Sequence, residues 1–332
     1  MKRYWGLIVL VTTVILLAIL GTACSSKEEK SGALPEVSST PNASVSPSKE
    51  PVKRTITHTL GSIAVAEKVE RVVTLERSFA DHIVSLGIVP VGAVVRDGGD
   101  FEPYIANQLK GSASVGQGTA PNMEKLLGLK PELIIGTDKE HSKAYDTLKQ
   151  IAPTLIITSD EMEKDWRGVF LKIADAVNKQ ELAKQQLKTF DENLLALKDQ
   201  LAPIMKGKTV VFFKVTDKDT RILGNLSPLG KIAYEQLGLK YPESLKDESN
   251  ETKIAAEILP EINPDYIFVM DTNVPEYVDH LNEMLKTPLW KSLNAVKDGK
   301  VVMVPLRATK TGFGLVMHNQ FVDTLKRELL KK

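Results

Sequence analysis

The sequence lacks features that define several common classes of protein. Cys24 is the only cysteine among 332 residues, which excludes an intrachain disulfide, a cysteine-based zinc site and an iron–sulfur cluster. Aromatic residues make up 6% of the chain, too few for a surface that stacks single-stranded bases. The formal net charge is +1 and no long basic stripe is present, so the composition does not favour a nucleic-acid-binding protein.

Motifs of the common hydrolases and metalloproteases are also missing. The chain holds no G-x-S-x-G and no H-E-x-x-H pattern. The stretch "GNLSPLGKI" (224–232) approaches a phosphate-binding loop, but its spacing is one residue too long and Ile232 stands where Ser or Thr would hold magnesium. We therefore expect no enzyme and no resident cofactor.

The histidines are scattered, with no two within one helical turn and no His-rich loop, which argues against a site for a bare metal ion. They are His58, His82, His141, His280 and His318. We expect His58 and His280 at the surface and His82 and His318 along helices.

The N-terminal end carries the features of an export signal. Lys2 and Arg3 are followed by an uncharged apolar run over 5–20. Such a run of ~20 residues can span a bilayer, so an uncleaved anchor is one interpretation. The other is a lipoprotein, because "LGTAC" resembles the bacterial lipobox, whose cysteine is lipidated and becomes the mature N-terminus. We predict a lipoprotein signal peptide over 1–23, lipidation of Cys24, and an extracytoplasmic location.

Residues 24–53 are rich in Ser, Pro, Lys and Glu and lack the apolar content of a folded segment. They predict a flexible tether, with the folded part beginning near Arg54. The long tether together with the lipobox suits the surface of a Gram-positive cell, although a periplasmic location stays open.

One phrase of sequence occurs twice. Residues 121–138 read "PNMEKLLGLKPELIIGTD" and residues 254–271 read "IAAEILPEINPDYIFVMD". At a constant offset the matched pairs are Glu124 and Glu257, Leu126 and Leu259, Pro131 and Pro264, Ile134 and Ile267, and Asp138 and Asp271. Each copy predicts a helix stopped near a proline and followed by a buried strand.

Buried strands and amphipathic helices alternate on both sides of one long helical stretch. Strands are predicted at 71–75, 89–95, 133–137, 154–158, 209–215 and 300–305, and helices at 78–87, 123–129, 143–152, 227–238, 276–286 and 314–330. Between the halves, 162–201 is helical throughout, with Asn178 and Glu181 spaced as a capping box and Pro203 as the stop. A helix over 179–202 would span about 35 Å, the length of a strut between two lobes.

This order predicts an α/β protein of two Rossmann-like lobes joined by a single long α-helix, the class III periplasmic-binding-protein architecture. The first lobe covers 54–160, the linking helix region 161–206 and the second lobe 207–332. Ligands of open α/β sheets bind beyond the carboxyl ends of the strands, so the site is expected in a cleft between the lobes.

Three stretches carry a resemblance to a known family: "RVVTLERSFADHIVSLGIVPVGAV", "VGQGTAPNMEKLLGLKPELIIGTD" and "EILPEINPDYIFV". They resemble the iron–siderophore substrate-binding lipoproteins of ABC importers, and among these the iron(III)-dicitrate and hydroxamate binders. The resemblance covers nearly all of 54–332. It implies a monomer that carries a ferric siderophore to a permease dimer, with modest lobe closure because a helical strut bends little.

The resemblance also implies a role for the repeated glutamates. In the family one glutamate at the tip of each lobe pairs with arginines of the permease, and by motif these positions are Glu124 and Glu257. Two carboxylates related by an internal repeat can present a matched pair to a two-fold partner. The alternative is that each glutamate only favours the positive N-terminal end of its helix.

Residues near the strand ends include more cations than anions, which suits an anionic or oxygen-rich ferric complex. The ligand-binding residues predicted from this set are Arg77, Arg96, His141, Lys214, Arg221, Arg307 and Lys310. The stretch "PLRATKTGFG" lacks the Trp and paired arginines of the dicitrate type, and Glu140 stands where an arginine is expected. Both departures favour a hydroxamate or citrate-hydroxamate complex over citrate, with a cobalamin-binding or bare-metal-binding importer lipoprotein as the alternative.

Overall fold

The computed structural model describes residues 53–96, 99–245, 249–272, 274–306 and 314–331, all within one compact unit. The predicted signal peptide, Cys24 and the tether up to residue 52 lie outside the described residues. In the part of the chain that is described, no helix combines the length and apolarity needed to cross a membrane.

Within its described residues, the first lobe holds a five-stranded sheet, two β-hairpins and four short helices. Its strands are β1 (Lys53–His58), β2 (Gly61–Ala66), β3 (Val72–Thr74), β4 (Gly92–Ala93), β5 (Ala113–Ser114), β6 (Gly116–Gln117), β7 (Ala120–Pro121), β8 (Leu133–Thr137) and β9 (Thr154–Ile157). Its helices are α1 (Arg77–Ser85), α2 (Met123–Gly128), α3 (Asp138–His141) and α4 (Tyr145–Ile151), with a 3₁₀ turn at Ser142–Ala144 before α4.

The main sheet of this lobe has the strand order β5-β4-β3-β8-β9, and every neighbouring pair is parallel. Strands β8 and β9 are buried along their whole length, which explains why they read as continuous apolar runs. The hairpin of β1 and β2 was not predicted as strands.

Three helices link the lobes: α5 (Ser159–Lys164), α6 (Trp166–Ala176) and α7 (Gln180–Met205). The strut α7 has 26 residues, about 39 Å at the usual rise. The predicted capping box is wrong, because Asn178 adopts a left-handed conformation (φ 56°) and Lys179 is the N-cap residue. Pro203 does not end the helix but lies inside its last turn.

The second lobe is built on another five-stranded sheet. Its strands are β10 (Val210–Val215), β11 (Thr220–Leu223), β12 (Glu251–Ile254), β13 (Tyr266–Met270) and β14 (Val301–Met303). Its helices are α8 (Pro228–Gly230), α9 (Leu259–Ile262), α10 (Val278–Lys286), α11 (Pro288–Ser292), α12 (Asn294–Lys297) and α13 (Leu315–Leu329). Helix α8 continues as a π-helical turn over Lys231–Gln236. Short 3₁₀ turns at Ala256–Ile258 and Pro275–Tyr277 precede α9 and α10.

This second sheet is mixed. Its order is β12-β11-β10-β13-β14, in which β10, β13 and β14 are parallel and β11 and β12 add two antiparallel strands. The antiparallel strands were not predicted, because Thr220–Leu223 is short and three of the four residues of Glu251–Ile254 are polar. They matter for the site, since they carry three of its charged side chains.

The repeated phrase folds in the same way in both lobes. Leu126 of α2 packs in the same outer core as Ile134 of β8, and Leu259 of α9 packs with Ile267 of β13. The repeat therefore records one helix–turn–strand unit per lobe, as predicted.

The turn of this unit is also repeated. Lys130 (φ 44°) and Asn263 (φ 31°) both adopt the left-handed conformation directly before the matched prolines. A left-handed residue ends a helix, and the following proline cannot continue it. Two further matched residues hold the neighbouring strand: Glu132 accepts the N–H groups of Glu70 and Arg71, and Asp265 accepts that of Thr209.

The C-terminal helix α13 packs on α7 and reaches back to α1 of the first lobe. Asp81 of α1 accepts the N–H groups of Val316 and Met317, at 2.8 and 3.0 Å, and so caps α13 from the other lobe. Gly314 is required for this approach, because a Cβ atom there would collide with the Asp81 carboxylate. One apolar core accordingly runs from α1 through α6, α7 and α13 to β10 and β13.

Candidate functional site

A cavity of about 260 Å³ opens at the carboxyl edge of the first sheet. Its walls come from the segments after β3 and β4, from the β6–β7 turn and from α3, at the strand ends where ligands of such sheets bind. All of these segments belong to the first lobe, whereas the sequence predicted a cleft between the lobes. The residues that line it are Leu75, Glu76, Arg77, Val94, Val95, Arg96, Gln117, Gly118, Thr119 and Glu140. Two of the predicted ligand-binding residues, Arg77 and Arg96, are therefore brought together.

Arg77 is the first residue of α1 and is already engaged within the protein. Its Nη1 donates to Oε1 of Glu102 at 3.0 Å, and the Glu102 side chain is only 2% exposed. A buried carboxylate fixes the guanidinium in position and offsets much of its charge. Arg77 can still present its remaining N–H groups to the cavity.

Arg96, which follows β4, differs from Arg77. Its Nε is buried and makes no hydrogen bond to any of the residues that the structure describes. Its backbone is held instead, since its N–H donates to the carbonyl of Asp100 and its carbonyl accepts from Gly99. A buried, unbonded donor at the wall of a cavity is the strongest sign of a ligand contact in the first lobe.

Two carboxyl groups, those of Glu76 and Glu140, also line the cavity. Glu76 is the N-cap of α1, and burial raises the pKa of its carboxyl. With Glu140 it gives the lining two carboxyl groups beside two arginines, so this cavity has no excess of cations. Gln117 and Thr119, which sequence reasoning missed, add uncharged polar groups. The glycine-rich sequence "GQGT" (116–119) could have indicated a tight turn that places these two side chains at the cavity.

His141 lies beneath the cavity. Thr137 donates its N–H to Nδ1 at 2.9 Å, which leaves the proton on Nε2 to donate to the carbonyl of Gly118 at 2.9 Å. Burial lowers the pKa of His141, so the ring is neutral. The histidine thus pins the β6–β7 turn to the end of β8, and the structure places it behind the residues that it was predicted to join.

Lys214 and Arg221 lie in the second lobe, within β10 and β11 rather than in loops after strands. Lys214 Nζ donates to Oε1 of Glu251 at 2.6 Å, and Arg221 Nη1 donates to Oε2 of the same carboxylate at 3.2 Å. Arg221 also bonds Asp219 through Nε and Nη2. Lys214 is therefore neutralised by Glu251, which is 37 residues away. Arg221 is neutralised by the same Glu251, 30 residues away, and by Asp219, two residues away. Local sequence patterns do not reveal these pairings.

Arg307 and Lys310, also predicted as ligand-binding residues, lie outside the described residues. The described chain resumes at Gly314, beside the Asp81 cap of α13. Burial raises the pKa of Asp81 to about 6.

Glu124 and Glu257 occupy matched places on the outer side of the two lobes, in the first turns of helical segments at Met123–Gly128 and Ala256–Ile258. Both are exposed, and neither makes a hydrogen bond or ion pair with another described residue. In the first lobe Asn122 caps the helix through Lys125 N–H, so Glu124 is not needed as a cap. These carboxylates are free for a partner.

The described residues hold no group of three or more His, Cys, Asp or Glu side chains that could coordinate a metal ion. His82 and His318 are fully buried: His82 stacks on Phe170, and His318 contacts the Trp166 ring at a tilt of 42°. The surface position predicted for His58 is wrong: it is 6% exposed and contacts the Tyr145 hydroxyl at 3.2 Å.

A smaller recess of about 130 Å³ lies where the linker meets the second lobe, between Met162–Arg167 and residues of the α8 segment. Trp166 lines it and is partly buried, whereas Trp290 is enclosed in the outer core of the second lobe. Trp166 is therefore the tryptophan placed to report on events between the lobes.

Two α/β lobes joined by a strut, with a ligand-sized cavity at a strand edge, define a binding protein of the two-lobed type. A family profile described as "Periplasmic binding protein" matches residues 72–308. The chain belongs to the periplasmic binding protein family. It is a substrate-binding transport protein and not an enzyme.

Individual proteins give the same result. The "Probable siderophore-binding lipoprotein YfiY" of Bacillus subtilis is 32% identical, with 96% of this chain and 97% of that protein covered. The "Fe(3+)-citrate-binding protein YfmC" of the same organism is 30% identical over 100% and 99%. The crystal structure of Staphylococcus aureus SirA complexed with staphyloferrin B superposes with a TM-score of 0.65 and 28% identity, covering 83% of this chain and 98% of SirA.

Proposed function

We propose that this protein captures a ferric siderophore of the hydroxamate or citrate-hydroxamate type between its lobes and delivers it to the permease of an ABC importer. The observation that carries the proposal is the first-lobe cavity, which Arg77 and Arg96 line together and beside which the buried Nε of Arg96 has no hydrogen bond to a described residue. The names of the relatives, a siderophore-binding and an Fe(3+)-citrate-binding protein, support a ferric complex as the ligand.

The charge balance favours a complex of low negative charge. Arg77, Lys214 and Arg221 are each paired with a carboxylate, and Glu76 and Glu140 line the first-lobe cavity. Hydroxamate oxygens accept hydrogen bonds without requiring a large cationic excess. Ferric citrate complexes carry more negative charge and would meet these carboxylates.

Delivery is proposed to use Glu124 and Glu257. Their matched positions, exposure and lack of partners among the described residues support a symmetric contact with a two-fold permease. Arginines on the permease would form charge-assisted hydrogen bonds that fix the register of the complex.

The proposed setting is the extracellular face of the cell membrane or the periplasm, with the monomer anchored through lipid on Cys24 and spaced by the tether. Support comes from the sequence of residues 1–53 and from the lipoprotein relative. The domain bounds of 54–160, 161–206 and 207–332 remain part of this proposal, with α13 packed against the first lobe.

The test is a fluorescence titration of the protein truncated before Glu50, where the compact unit begins. Ferric hydroxamates, a ferric citrate-hydroxamate, ferric citrate, ferric catecholates, cobalamin, Zn²⁺ and Mn²⁺ would be added separately. We expect saturable quenching of Trp166 by a hydroxamate or mixed complex. A Trp166→Phe variant, which keeps the buried Trp290, is the matched control. Flat curves with every ferric complex would contradict the proposal, and saturation by cobalamin or a bare ion alone would replace it.

A further inference from the structure

The two second-lobe cations enclose a carboxylate that belongs to the protein. The register of β10 and β11 places Lys214 directly opposite Arg221, an arrangement in which like charges repel. Glu251 of β12 resolves the repulsion with one oxygen on each cation, at 2.6 and 3.2 Å. Its side chain is only 4% exposed. The protein therefore already supplies the negative charge that this cation pair would otherwise take from a ligand.

Asp219 completes the cluster from the other side. Its carboxylate receives Arg221 Nε at 2.9 Å and Nη2 at 3.3 Å, and Lys253 Nζ lies 3.4 Å from Oδ2. The hydrogen bonds of Arg221 lower the pKa of Asp219 to about 2. Three cations and two carboxylates give this cluster a net charge of +1, held within a closed set of contacts.

Lys214 is near the end of β10, on the same face of the strand as Phe212, in the core that is continuous between the lobes. Parallel strands β10 and β13 end at this edge, where ligands of such sheets bind. Arg221 is 35% exposed and uses three of the five guanidinium N–H groups within the cluster. It can donate to a neutral oxygen without any contact being broken.

We propose that Glu251 is a specificity determinant that excludes polyanionic ferric complexes from the second half of the site. The inference rests on the proposed ferric-siderophore function. A ligand carboxylate that approached Lys214 would lie beside the buried carboxylate of Glu251, and the two like charges would repel each other in a poorly solvated place. A neutral hydroxamate complex brings no net charge and meets much less of this repulsion. Discrimination between the two ligand types thus comes from repulsion as much as from attraction.

The test compares Glu251→Gln with the wild-type protein, using ferric citrate as the anionic probe and ferrichrome as the neutral trihydroxamate probe. The amide keeps the shape and an accepting oxygen but removes the charge. We expect the Kd of ferric citrate to fall about tenfold or more, a change of ~1.4 kcal/mol. We expect the Kd of ferrichrome to change less than about threefold. Glu283→Gln, an exposed carboxylate of the same lobe that pairs with Lys286, is the matched control and should change neither.

Asp219→Asn provides a second, less buried neutralisation of the same cluster and should shift ferric citrate in the same direction by a smaller factor. If Glu251→Gln does not fold, this variant decides the question. Unchanged ferric citrate affinity in a folded variant would overturn the inference, as would weaker binding of both probes, because Glu251 would then orient the cations for the ligand. Wild-type protein that binds no ferric complex in the wider titration would instead contradict the proposed function itself.

Discussion

The two lobes share a scaffold but handle their cations differently. In both, a helix, a left-handed residue, a proline and a strand follow in the same order, and a carboxylate after the proline holds the start of the neighbouring strand. The two lobes differ at the carboxyl edges of their sheets, where the ligand is expected to bind. The first lobe leaves Nε of Arg96 without a bond to a described residue, whereas the second lobe places Glu251 between Lys214 and Arg221.

This difference indicates that the two lobes contribute differently to ligand binding. The repeated positions build and orient each lobe, and the positions outside the repeat set what the cleft binds. A cation without a protein partner gains most from a ligand, while one held by a buried carboxylate mainly selects against charge. We therefore expect affinity to depend on the first lobe and discrimination to depend on the second.

The largest expected effect concerns a feature that the lobes share. Reversing both Glu124 and Glu257 to Lys should reduce ligand uptake by cells about 100-fold or more, because two charge-assisted contacts become repulsive. Ligand affinity of the purified protein should not change. The matched control reverses Asp146 and Glu261, which are also exposed but are not related by the repeat. Normal uptake with the double Glu variant would show that the pair only serves its helices.

The next effect separates the two arginines of the first lobe. Arg96→Met should raise the Kd of the ferric ligand about 10–100-fold, because the accepting oxygen of the ligand loses its donor. Arg77→Met should act mainly on stability, lowering the free energy of unfolding by about 1–3 kcal/mol, since it removes the ion pair of buried Glu102. Isothermal titration and chemical denaturation measure the two quantities. Equal losses of affinity would remove the distinction between the arginines.

A third effect tests the junction between the lobes. Burial lowers the pKa of both His82 and His318 to about 3, so unfolded chains take up these protons near pH 6.5 while the native protein does not. Stability should therefore fall as pH falls from about 6.5 towards 3, by up to ~1.4 kcal/mol per pH unit for each histidine.

Asp81 acts in the opposite direction. Its pKa is raised to about 6 from 3.8, so native protein binds its proton first and stability from this group rises as pH falls through that window. Together these three groups should contribute a slope of about one proton between about pH 4 and 6, and His318→Phe should flatten the slope by about one proton. An unchanged slope in that variant, followed by denaturation at each pH, would contradict the role given to His318.

The smallest expected effect concerns the matched carboxylates, Glu132 and Asp265, of the unit that both lobes share. Glu132→Gln and Asp265→Asn should each lower the free energy of unfolding by about 1 kcal/mol, because each weakens hydrogen bonds to the start of a neighbouring strand. Glu192→Gln on the exposed side of α7 should have no measurable effect. Similar losses at the two repeated positions, measured by denaturation, would confirm their equivalence; a loss in one lobe only would show that the repeat is no longer functional in the other.

Sequence alone predicted the features that depend on local pattern. The strand at Leu133–Thr137 and the strut were found because buried strands and amphipathic helices have distinct periodicities. Strands β11 and β12 were missed, since such short, polar strands owe their conformation to their neighbours in the sheet: β11 pairs with β10, and β12 pairs with β11. The capping box at Asn178 failed for a related reason: its spacing was right, but the chain enters α7 through a left-handed residue.

The candidate site divides in the same way. Arg77 and Arg96 were located from their places after strands, which the topology fixes. The pairing of Lys214 and Arg221 with Glu251 could not be predicted from the sequence. Glu251 is 37 residues from Lys214 and 30 from Arg221, and only the pairing of β10, β11 and β12 in the mixed sheet brings the three side chains together. His141 was assigned to the ligand on its loop position, while its burial and its bonds to Thr137 and Gly118 depend on the fold.

The most direct test of the central claim is a crystal structure of the protein with the ferric hydroxamate or citrate-hydroxamate that it binds, with iron located by anomalous scattering. Our account places the complex over the first-lobe cavity, with Arg96 donating to a ligand oxygen and Glu251 still bonded to Lys214 and Arg221. A complex whose carboxylate has replaced Glu251 on those two cations, with Arg96 out of reach, would contradict it.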